Sequence, residues 1–281
     1  MKAQTLVRLA RVSRATQRVF TARSLVRKIV ERAGAPSLQL PVRLGTLQFP
    51  MQLEPRDYVD FHLYYHGFFE KEEGRLLCAL LPTGGVMFDV GANIGYYSLG
   101  AALRVGPTGQ VHAFEPTPSV HQRLVANIEL NGLHQVVAHA CAVTDAAGSA
   151  TMYDLPGNSG AHSLGRHAAS RGSYTVSTIR LDDYVHEHDV PRLDLVKLDI
   201  EGAEVLALRG MHELLRRFRP HVLLEINPKC LRRLGFSAGD VVEMLQEHGY
   251  TLVDVKTRQP FVYAAGSLDA CDVHAIPAAA S

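Results

Sequence analysis

Four residues at alternate positions form a turn that is suited to bind a ligand. The segment MFDVGANIGYYSL (residues 87–99) runs from an apolar stretch into Asp89, Gly91, Asn93 and Gly95. Glycine lets the backbone approach a ligand closely, and asparagine is the non-glycine residue that best tolerates left-handed backbone angles. In an alternating α/β chain, the first strand-to-helix turn is where ligands bind. The spacing therefore predicts a ligand-binding turn.

The residues of this turn argue against two common nucleotide sites. The dinucleotide fingerprint would need glycine at positions 91, 93 and 96, but the chain has Asn93 and Tyr96. The Gly-Lys-Ser/Thr sequence of a phosphate-binding loop is missing from the chain. Asp89 is expected to face the ligand, where its carboxylate would repel a pyrophosphate. S-adenosylmethionine has no phosphate and carries an ammonium and a sulfonium group, so the turn predicts this cofactor.

Two further strand ends offer groups for the rest of such a cofactor. The second predicted strand ends in HAFEP, where Glu115 lies twenty residues after Gly95 and an acid can accept hydrogen bonds from two ribose hydroxyls. After the third strand, the small residues Ala142 and Val143 could admit an adenine edge, with Asp145 near its exocyclic amine. A plain strand that ends in an Asp-initiated turn explains Asp145 equally well.

The fourth and fifth strands end in groups that could handle a proton. In VKLDIEGAE, Asp199 ends a strand and Lys197 lies two residues back on the same face. A hydroxyl acceptor must lose its proton, so we interpret Asp199 as the base, Lys197 as its tuning or ion-pair partner, and Glu225 as a further catalytic candidate. An Asp–Lys pair that only braces the strand end is the alternative. Asn227 with Asp199 and Glu225 would suit magnesium, but such groups are common at strand ends without metal, and no metal is assigned.

These residues must be positioned by alternating strands and helices. Short apolar runs with few charges predict buried parallel strands, and apolar residues at three- and four-residue spacing between them predict helices. The last two runs, YTLVDVK and CDVHAIP, have no helix between them and are expected to pair antiparallel at the sheet edge. The preceding strand predictions are VMFDV, QVHAF, VVAHACAV, LDLVKLDI and HVLLEI.

An insertion separates the third and fourth predicted strands. Residues 149–181 contain two alternating runs around a loop rich in glycine, serine and histidine, which predicts a β-hairpin with a long mobile tip. Asn158, Ser159, His162, Ser163 and His167 lie in this loop, where an acceptor-binding lid could form.

Several motifs in fixed order resemble the FkbM family of S-adenosylmethionine-dependent methyltransferases. The resemblance covers roughly residues 58–277 and implies a class I methyltransferase (Rossmann-like) α/β fold, with helices on both faces of a seven-stranded sheet whose last strand is antiparallel. It also implies methyl transfer, usually to a hydroxyl oxygen, here of a small molecule or sugar. By position, residues 89, 91, 93 and 95 match the family's cofactor turn and residue 115 its ribose-binding acid. The motifs are FDVGANIGYYSL, AFEPTPSV, NIELNG, STIRLDDYV, LVKLDIEGAEVLALRGM and LLEINP.

Composition limits the other classes of function. Lysine and arginine number 29 against 28 aspartate and glutamate, so nothing indicates a nucleic-acid partner. The four cysteines have no metal-ligand spacing and are expected to be reduced thiols, and no segment reaches the roughly 18 to 20 apolar residues of a membrane span. These features favour a cytoplasmic protein. A nicotinamide-dependent oxidoreductase and a non-catalytic membrane-associated binding protein are the alternative functions.

The N-terminal segment has a character of its own. Residues 1–30 carry eight basic residues and no acid, with arginines and apolar residues on opposite sides of a helical wheel. This pattern indicates a peripheral membrane anchor, a transit peptide or a helix packed on its own domain. We therefore expect a basic amphipathic segment at 1–40, an N-terminal cap at 41–85 that includes the aromatic stretch 58–69, and a cofactor-binding domain at 86–281.

Overall fold

The computed structural model describes residues 37–263 and 269–278. The predicted amphipathic helix in residues 1–30 lies outside the described residues. In chain order the elements are β1 (Leu38–Leu44), β2 (Leu47–Leu53), α1 (Tyr58–His66), α2 (Lys71–Leu80), β3 (Val86–Val90), α3 (Tyr96–Val105), β4 (Gln110–Phe114), α4 (Pro118–Asn131), β5 (Val136–His139), β6 (Ala142–Val143), β7 (Gly148–Tyr153), β8 (Ser173–Ile179), α5 (Leu181–Glu187), β9 (Leu195–Leu198), α6 (Glu204–Arg209), α7 (His212–Phe218), β10 (His221–Ile226), α8 (Pro228–Arg233), α9 (Ala238–Glu247), β11 (Tyr250–Asp254) and β12 (Cys271–Pro277).

The central sheet has seven strands in the order β11-β12-β10-β9-β3-β4-β5. Strands β9, β3, β4, β5 and β10 pair in parallel, whereas β12 runs antiparallel to both β10 and β11. The predicted seven-stranded class I methyltransferase sheet with an antiparallel last strand is thus confirmed. Because β4 and β5 extend the sheet on one side of β3 and β9 on the other, the topological switch point lies between β3 and β9, where α/β sheets bind ligands.

The sheet separates two hydrophobic cores. In β3, Met87 joins the core that contains the β1–β2 hairpin and helices α1 to α4. Its neighbours Phe88 and Val90 face the opposite core, which helices α5 to α9 complete. All five residues of β3 are buried, as expected of a parallel strand that is covered on both faces.

The region before the central sheet folds against helices of the sheet domain. Strands β1 and β2 pair antiparallel over their whole length. Helix α1 begins after Asp57, whose carboxylate accepts a hydrogen bond from Val59 N at 3.0 Å, and α2 ends at Leu80, just before Pro82. Since these elements share one core with α3 and α4, the division at residues 41 and 86 stays a prediction.

The insertion forms a small sheet beside the central one. Strands β7 and β8 pair antiparallel from Gly148↔Thr178 to Tyr153↔Ser173, which is the predicted hairpin. The prediction of one continuous strand over residues 136–143 is wrong, because the chain leaves the central sheet after β5 and β6 pairs in parallel with β8 instead.

One predicted helix is divided in two. The pattern over residues 204–218 predicts a single helix, but α6 and α7 meet at Gly210. A Cβ atom at this position would lie 2.1 Å from the carbonyl oxygen of Thr144, so glycine allows the junction to pack directly on the chain after β6. Within the described ranges, the helices are all too short or too polar to cross a bilayer.

Candidate active site

A cavity of about 310 Å³ opens above the carboxyl ends of β3, β4, β9 and β10. Its floor is the turn after β3, and its walls come from the strand ends, from α1 and α3, and from the tip of the insertion. The cavity therefore lies at the switch point of the sheet, the place that the sequence predicted for the ligand.

Backbone contacts shape the turn after β3. Gly91 has a φ of +85°, and a Cβ atom there would lie 1.9 Å from the carbonyl oxygen of Asp199. Asn93 adopts the left-handed φ of +49° that its residue type predicted. Gly95 has a φ of +94°, and a side chain there would collide with Leu99 and Leu124. Gly91 and Asn93 line the cavity, while Gly95 positions the first turn of α3 beneath it.

Glu115 lies at the edge of the cavity with both carboxylate oxygens fixed. Its Oε2 accepts a hydrogen bond from Asn93 N at 3.0 Å, and its Oε1 accepts one from Thr117 N at 2.8 Å. Burial raises the pKa of this carboxyl to about 7, although the two backbone N–H groups favour the charged form. Each oxygen keeps a lone pair for a ligand hydroxyl, as the predicted ribose contact requires.

Asp89 does not face the cavity, and the expectation that it meets the ligand directly is corrected. The residue is 1% exposed, and its Oδ2 accepts a hydrogen bond from Ser98 Oγ at 2.5 Å. Burial raises the pKa of the Asp89 carboxyl to about 6, while the charge of Lys197 opposes this. Because strand side chains alternate, the acid two residues before Gly91 lies below the turn and braces α3.

The predicted adenine side is only partly assembled. Ala142 and Val143 line the cavity as expected, together with Cys141 and Met152. Asp145 is exposed and lies outside the lining, so its predicted contact with the adenine amine is wrong. The physical reason is the departure of β6 from the central sheet, which places Asp145 in the solvent-facing turn toward β7.

Lys197 lies beneath the cavity rather than in its wall. Its Nζ is 3.2 Å from Oδ2 of Asp199 and 3.8 Å from Oε1 of Glu73, and it lies over the Tyr97 ring. Burial disfavours the ammonium, but the surrounding carboxylates, Asp199 first, hold the pKa of Lys197 well above its usual value. Lys197 is outside the cavity lining and pairs with Asp199, so its role as the tuning or ion-pair partner of Asp199 stays a prediction, in which Lys197 acts as a positioning residue.

Three carboxyl groups end the fourth and fifth strands on the cavity side: Asp199, Glu201 and Glu225. Burial raises the pKa of Glu201 to about 7 and that of Glu225 to about 8, and the nearby charge of Asp199 adds to both shifts. Both groups thus titrate near neutrality, the range in which an acid–base residue works best.

Asn227 is not placed to complete a magnesium site. Its Oδ1 accepts hydrogen bonds from Lys229 N at 3.2 Å and Cys230 N at 3.4 Å and so caps α8. Its Nδ2 turns toward Glu225 Oε2 at 3.5 Å. The Asn227 oxygen that would bind a metal already accepts the hydrogen bonds that cap α8. The magnesium site considered from the sequence, formed by Asp199, Glu225 and Asn227, therefore lacks its third oxygen ligand.

Helix α2 adds acids that the sequence reading missed. The Tyr97 hydroxyl lies 2.7 Å from Glu70 Oε2 and 2.8 Å from Glu73 Oε2. The hydroxyl has one proton to donate, so the second contact requires a protonated carboxyl; burial and the charge of Glu73 raise the pKa of Glu70 to about 10. The available signal was the position of Glu73, which falls on the apolar face of α2 with Leu76 and Leu77.

The tip of the insertion contributes residues to the cavity wall, and its role as an acceptor-binding lid stays a prediction. Ser159 begins a short 3₁₀ helix (Ser159–Ala161); its Oγ donates to Asp57 Oδ1 at 3.0 Å and accepts from Asn93 Nδ2 at 3.2 Å. His162 Nδ1 lies 3.2 Å from Thr117 Oγ1, and burial lowers its pKa. Asn158, Ser159 and His162 line the cavity, whereas His167 and Ser163 do not.

Comparison with known proteins agrees with this geometry. Residues 89–252 match the Methyltransferase FkbM domain. The chain is 32% identical over 204 residues to the 31-O-demethyl-FK506 methyltransferase FkbM of Streptomyces tacrolimicus, an alignment that covers 62% of this chain and 75% of that protein. It is 29% identical over 179 residues to the hexuronic acid methyltransferase AglP of Haloferax volcanii, covering 63% and 68% of the two chains.

A solved structure of the methyltransferase FkbM from Methylobacillus flagellatus KT superposes with a TM-score of 0.46 at 17% identity. The superposition covers 77% of this chain and 52% of that one, so the matched region spans about half of the longer protein. The family match spans more than half of the present chain and includes the cofactor turn, Glu115, Asp199 and Glu225. The chain belongs to the FkbM family of S-adenosylmethionine-dependent methyltransferases.

Proposed function

We propose that the chain transfers a methyl group from S-adenosylmethionine to a hydroxyl oxygen of a small molecule or sugar. The observation that carries this proposal is the convergence of Asp199, Glu201 and Glu225 on the cavity that the cofactor turn floors. The names of two relatives, the 31-O-demethyl-FK506 methyltransferase and the 2-O-methyltransferase NoeI of Sinorhizobium fredii, support oxygen as the acceptor atom.

The described residues fit the cofactor. Gly91 lines the cavity and lets the turn pack directly on the carbonyl oxygen of Asp199, and the fixed carboxylate of Glu115 offers acceptors for two ribose hydroxyls. The small residues Ala142 and Val143 leave room for a flat ring. When bound, S-adenosylmethionine supplies a methyl group on a sulfonium centre, which leaves as a neutral thioether.

The residues of the chain align the acceptor and take its proton. In-line displacement requires the acceptor oxygen opposite the breaking carbon–sulfur bond, and a shaped cavity supplies this alignment. Lys197 forms an ion pair with Asp199, whose carboxylate can accept a hydrogen bond and orient the hydroxyl. The hydroxyl oxygen forms the new bond to carbon while its proton passes to the carboxylate of Glu225. A positive charge entering the cavity lowers the pKa of Glu225 and keeps it ready as a base.

Two alternatives considered from the sequence are not retained. Family membership decides against a nicotinamide-dependent oxidoreductase. A non-catalytic membrane-associated protein drew its support from residues 1–30, which lie outside the described residues.

Calorimetry and a methyl-transfer screen test the proposal together. The purified chain should bind S-adenosylhomocysteine and transfer labelled methyl from S-adenosylmethionine to a hydroxylated metabolite, giving an ether that resists alkaline hydrolysis. Glu225→Gln should lower kcat by about 10²–10⁴-fold with cofactor binding retained. The matched change Glu243→Gln on the exposed face of α9 should leave both properties unchanged. Failure to bind S-adenosylhomocysteine would refute the proposal.

A further inference from the structure

The cavity is lined by carboxyl groups and by no strongly basic side chain. Among its described lining residues, five carry a carboxyl, and neither lysine nor arginine occurs. His162 also lines the cavity, but burial lowers its pKa and favours the neutral ring. The five carboxyls belong to Glu70, Glu115, Asp199, Glu201 and Glu225.

The nearest lysine does not balance these acids. Lys197 is 2% exposed and lies below the lining, where its ammonium is already shared between Asp199 and Glu73. Glu201 and Glu225 form no ion pair among the described residues. Glu201 accepts from Cys230 Sγ at 3.0 Å and feels the charge of Arg233 nearby, and Glu225 meets the Asn227 amide at 3.5 Å.

The cofactor leaves this imbalance in place. S-adenosylmethionine carries one net positive charge from its sulfonium, ammonium and carboxylate groups, and the proposed function assigns Glu115 to its ribose. Buried carboxylates are stabilised when a cation pairs with them. The acceptor end of the cavity, with Glu201 and Glu225, therefore retains groups that favour a cationic ligand and repel an anionic one.

We propose that the acceptor is an amine-bearing polyol, such as an amino sugar, whose ammonium group is bound by Glu201 and Glu225 while a neighbouring hydroxyl is methylated. This inference rests on the proposed function. Carboxylates keep the amine protonated, and a protonated amine has no lone pair, so the methyl group goes to oxygen. A uronate acceptor would add a further carboxylate to an acidic cavity and bind weakly.

A divalent cation is the competing occupant. Glu70, Glu73 and Asp272 bring one ligand atom each within 4.8 Å of one another. However, Glu70 and Glu73 both bind the Tyr97 hydroxyl, and Lys197 lies beside Glu73. A bound metal would have to displace these contacts, so the amine is favoured and magnesium becomes an arm of the experiment.

Three matched pyranoses serve as probes: glucosamine (cationic), glucose (neutral) and glucuronate (anionic). Their binding to the full chain, saturated with S-adenosylhomocysteine and measured with a chelator at a pH below the pKa of the amine, separates the charge preference from the shape of the ring. We expect glucosamine to bind about tenfold more tightly than glucose, and glucuronate to bind most weakly. Glu201→Gln should reduce the glucosamine preference about threefold or more. The exposed-site control Glu243→Gln should keep it.

Four results would overturn the inference: equal binding of glucose and glucosamine, tighter binding of glucuronate, no detectable binding of glucosamine at millimolar concentration, or a preference that arises only when magnesium replaces the chelator. The proposed function fails differently, through loss of S-adenosylhomocysteine binding or through N-methylated or alkali-labile products. Retained S-adenosylhomocysteine binding with any of the four results therefore rejects the amine-bearing acceptor alone.

Discussion

The ammonium of Lys197 lies 3.2 Å from Oδ2 of Asp199, directly beneath the proposed acceptor site. Lys197→Met keeps the length of the side chain but removes the charge, leaving Asp199 and Glu73 without their shared buried cation. Removing one partner of a buried pair costs about 3–5 kcal/mol, so we expect a loss of this size in the free energy of unfolding. Denaturant unfolding measures it.

The same substitution at an exposed lysine supplies the control. Lys229→Met, on the solvent side of α8, should change the free energy of unfolding by less than about 0.5 kcal/mol. If Lys197→Met changed the free energy of unfolding as little as Lys229→Met does, the Lys197–Asp199 pair would not stabilise the strand ends.

Glu115 is expected to couple cofactor binding to the shape of the turn. Glu115→Gln places an amide NH₂ against one of the two backbone N–H groups that now donate to the carboxylate, from Asn93 and Thr117. One buried donor then loses its partner, which costs about 1–3 kcal/mol, equivalent to an about 5- to 150-fold loss of affinity for S-adenosylhomocysteine. Calorimetry measures the affinity. Glu129→Gln, on the exposed side of α4, should bind as the unchanged protein does.

Gly91→Ala tests the close approach of the turn to β9. The added methyl would lie 1.9 Å from the carbonyl oxygen of Asp199, so the backbone must shift and the cavity floor must deform. We expect loss of measurable S-adenosylhomocysteine binding and a lower melting temperature. Gly132→Ala, at a φ of +62° with nothing within 4 Å, isolates the left-handed strain of about 1–2 kcal/mol and should retain binding. Equal behaviour of the two variants would contradict the contact.

The hydroxyl of Ser159 is expected to keep the lid closed. Ser159→Ala removes its hydrogen bonds to Asp57 and Asn93, each of which contributes about 1 kcal/mol. Residues 160–172 should then be cleaved faster by a non-specific protease, and the KM for S-adenosylmethionine should rise several-fold. Ser149→Ala, on the exposed edge of β7, should change neither quantity. Unaltered cleavage in Ser159→Ala would show that these contacts do not limit opening.

His112 is expected to make stability depend on pH below neutrality. Burial lowers its pKa from 6.5 to about 4, and its Nδ1 lies 2.7 Å from the Tyr184 hydroxyl. Between these two pKa values the unfolded chain binds more protons at this residue than the folded one, so the contribution of His112 to the free energy of unfolding rises with pH. The contribution, on the order of 2 kcal/mol, is complete above pH 6.5 and is lost as pH falls toward 4.

His112→Gln should make the slope of unfolding free energy against pH less positive than in the unchanged protein between pH 4 and 6.5. His134→Gln, at an exposed position, should leave the slope as it is. Equal slopes in His112→Gln and in the unchanged protein would contradict the lowered pKa of His112.

The parallel sheet and the position of the site could be predicted because both depend on short-range sequence patterns. Buried runs of four to six residues between helical periods predict a parallel sheet, and the glycine and asparagine of the turn after β3 announce left-handed backbone. The position of Glu115 at the edge of the cavity was predictable for the same reason. An acid that directly follows a parallel strand lies at the carboxyl edge of the sheet, where the ligand cavity also lies.

Other parts of the site depend on contacts between distant residues. A continuous β-favouring run does not show that residues 136–143 change sheets, and without that change Asp145 looks like a cavity residue. Nothing close to Asn227 in sequence shows that its oxygen caps α8. The acids Glu70 and Glu73 reach the site through a helix that lies more than a hundred residues before Asp199. These features depend on how distant parts of the chain pack together, and local sequence patterns do not predict that packing.

The contact between Gly91 and the carbonyl of Asp199 links the two halves of the reaction through main-chain atoms. The turn proposed to bind the methyl donor follows β3, and Asp199, proposed to orient the acceptor, follows β9. Because β3 and β9 are paired strands, the main chain fixes the distance between these two parts of the site, whichever side chains surround them. Alignment is thereby separated from recognition. Under the proposed function, we expect exchanges at residues of the lid and of α1 that line the cavity, such as Asn158 and Tyr58, to change the acceptor without changing the line of attack. The molecule offers a starting point for redirecting methyl transfer by altering only its outer wall.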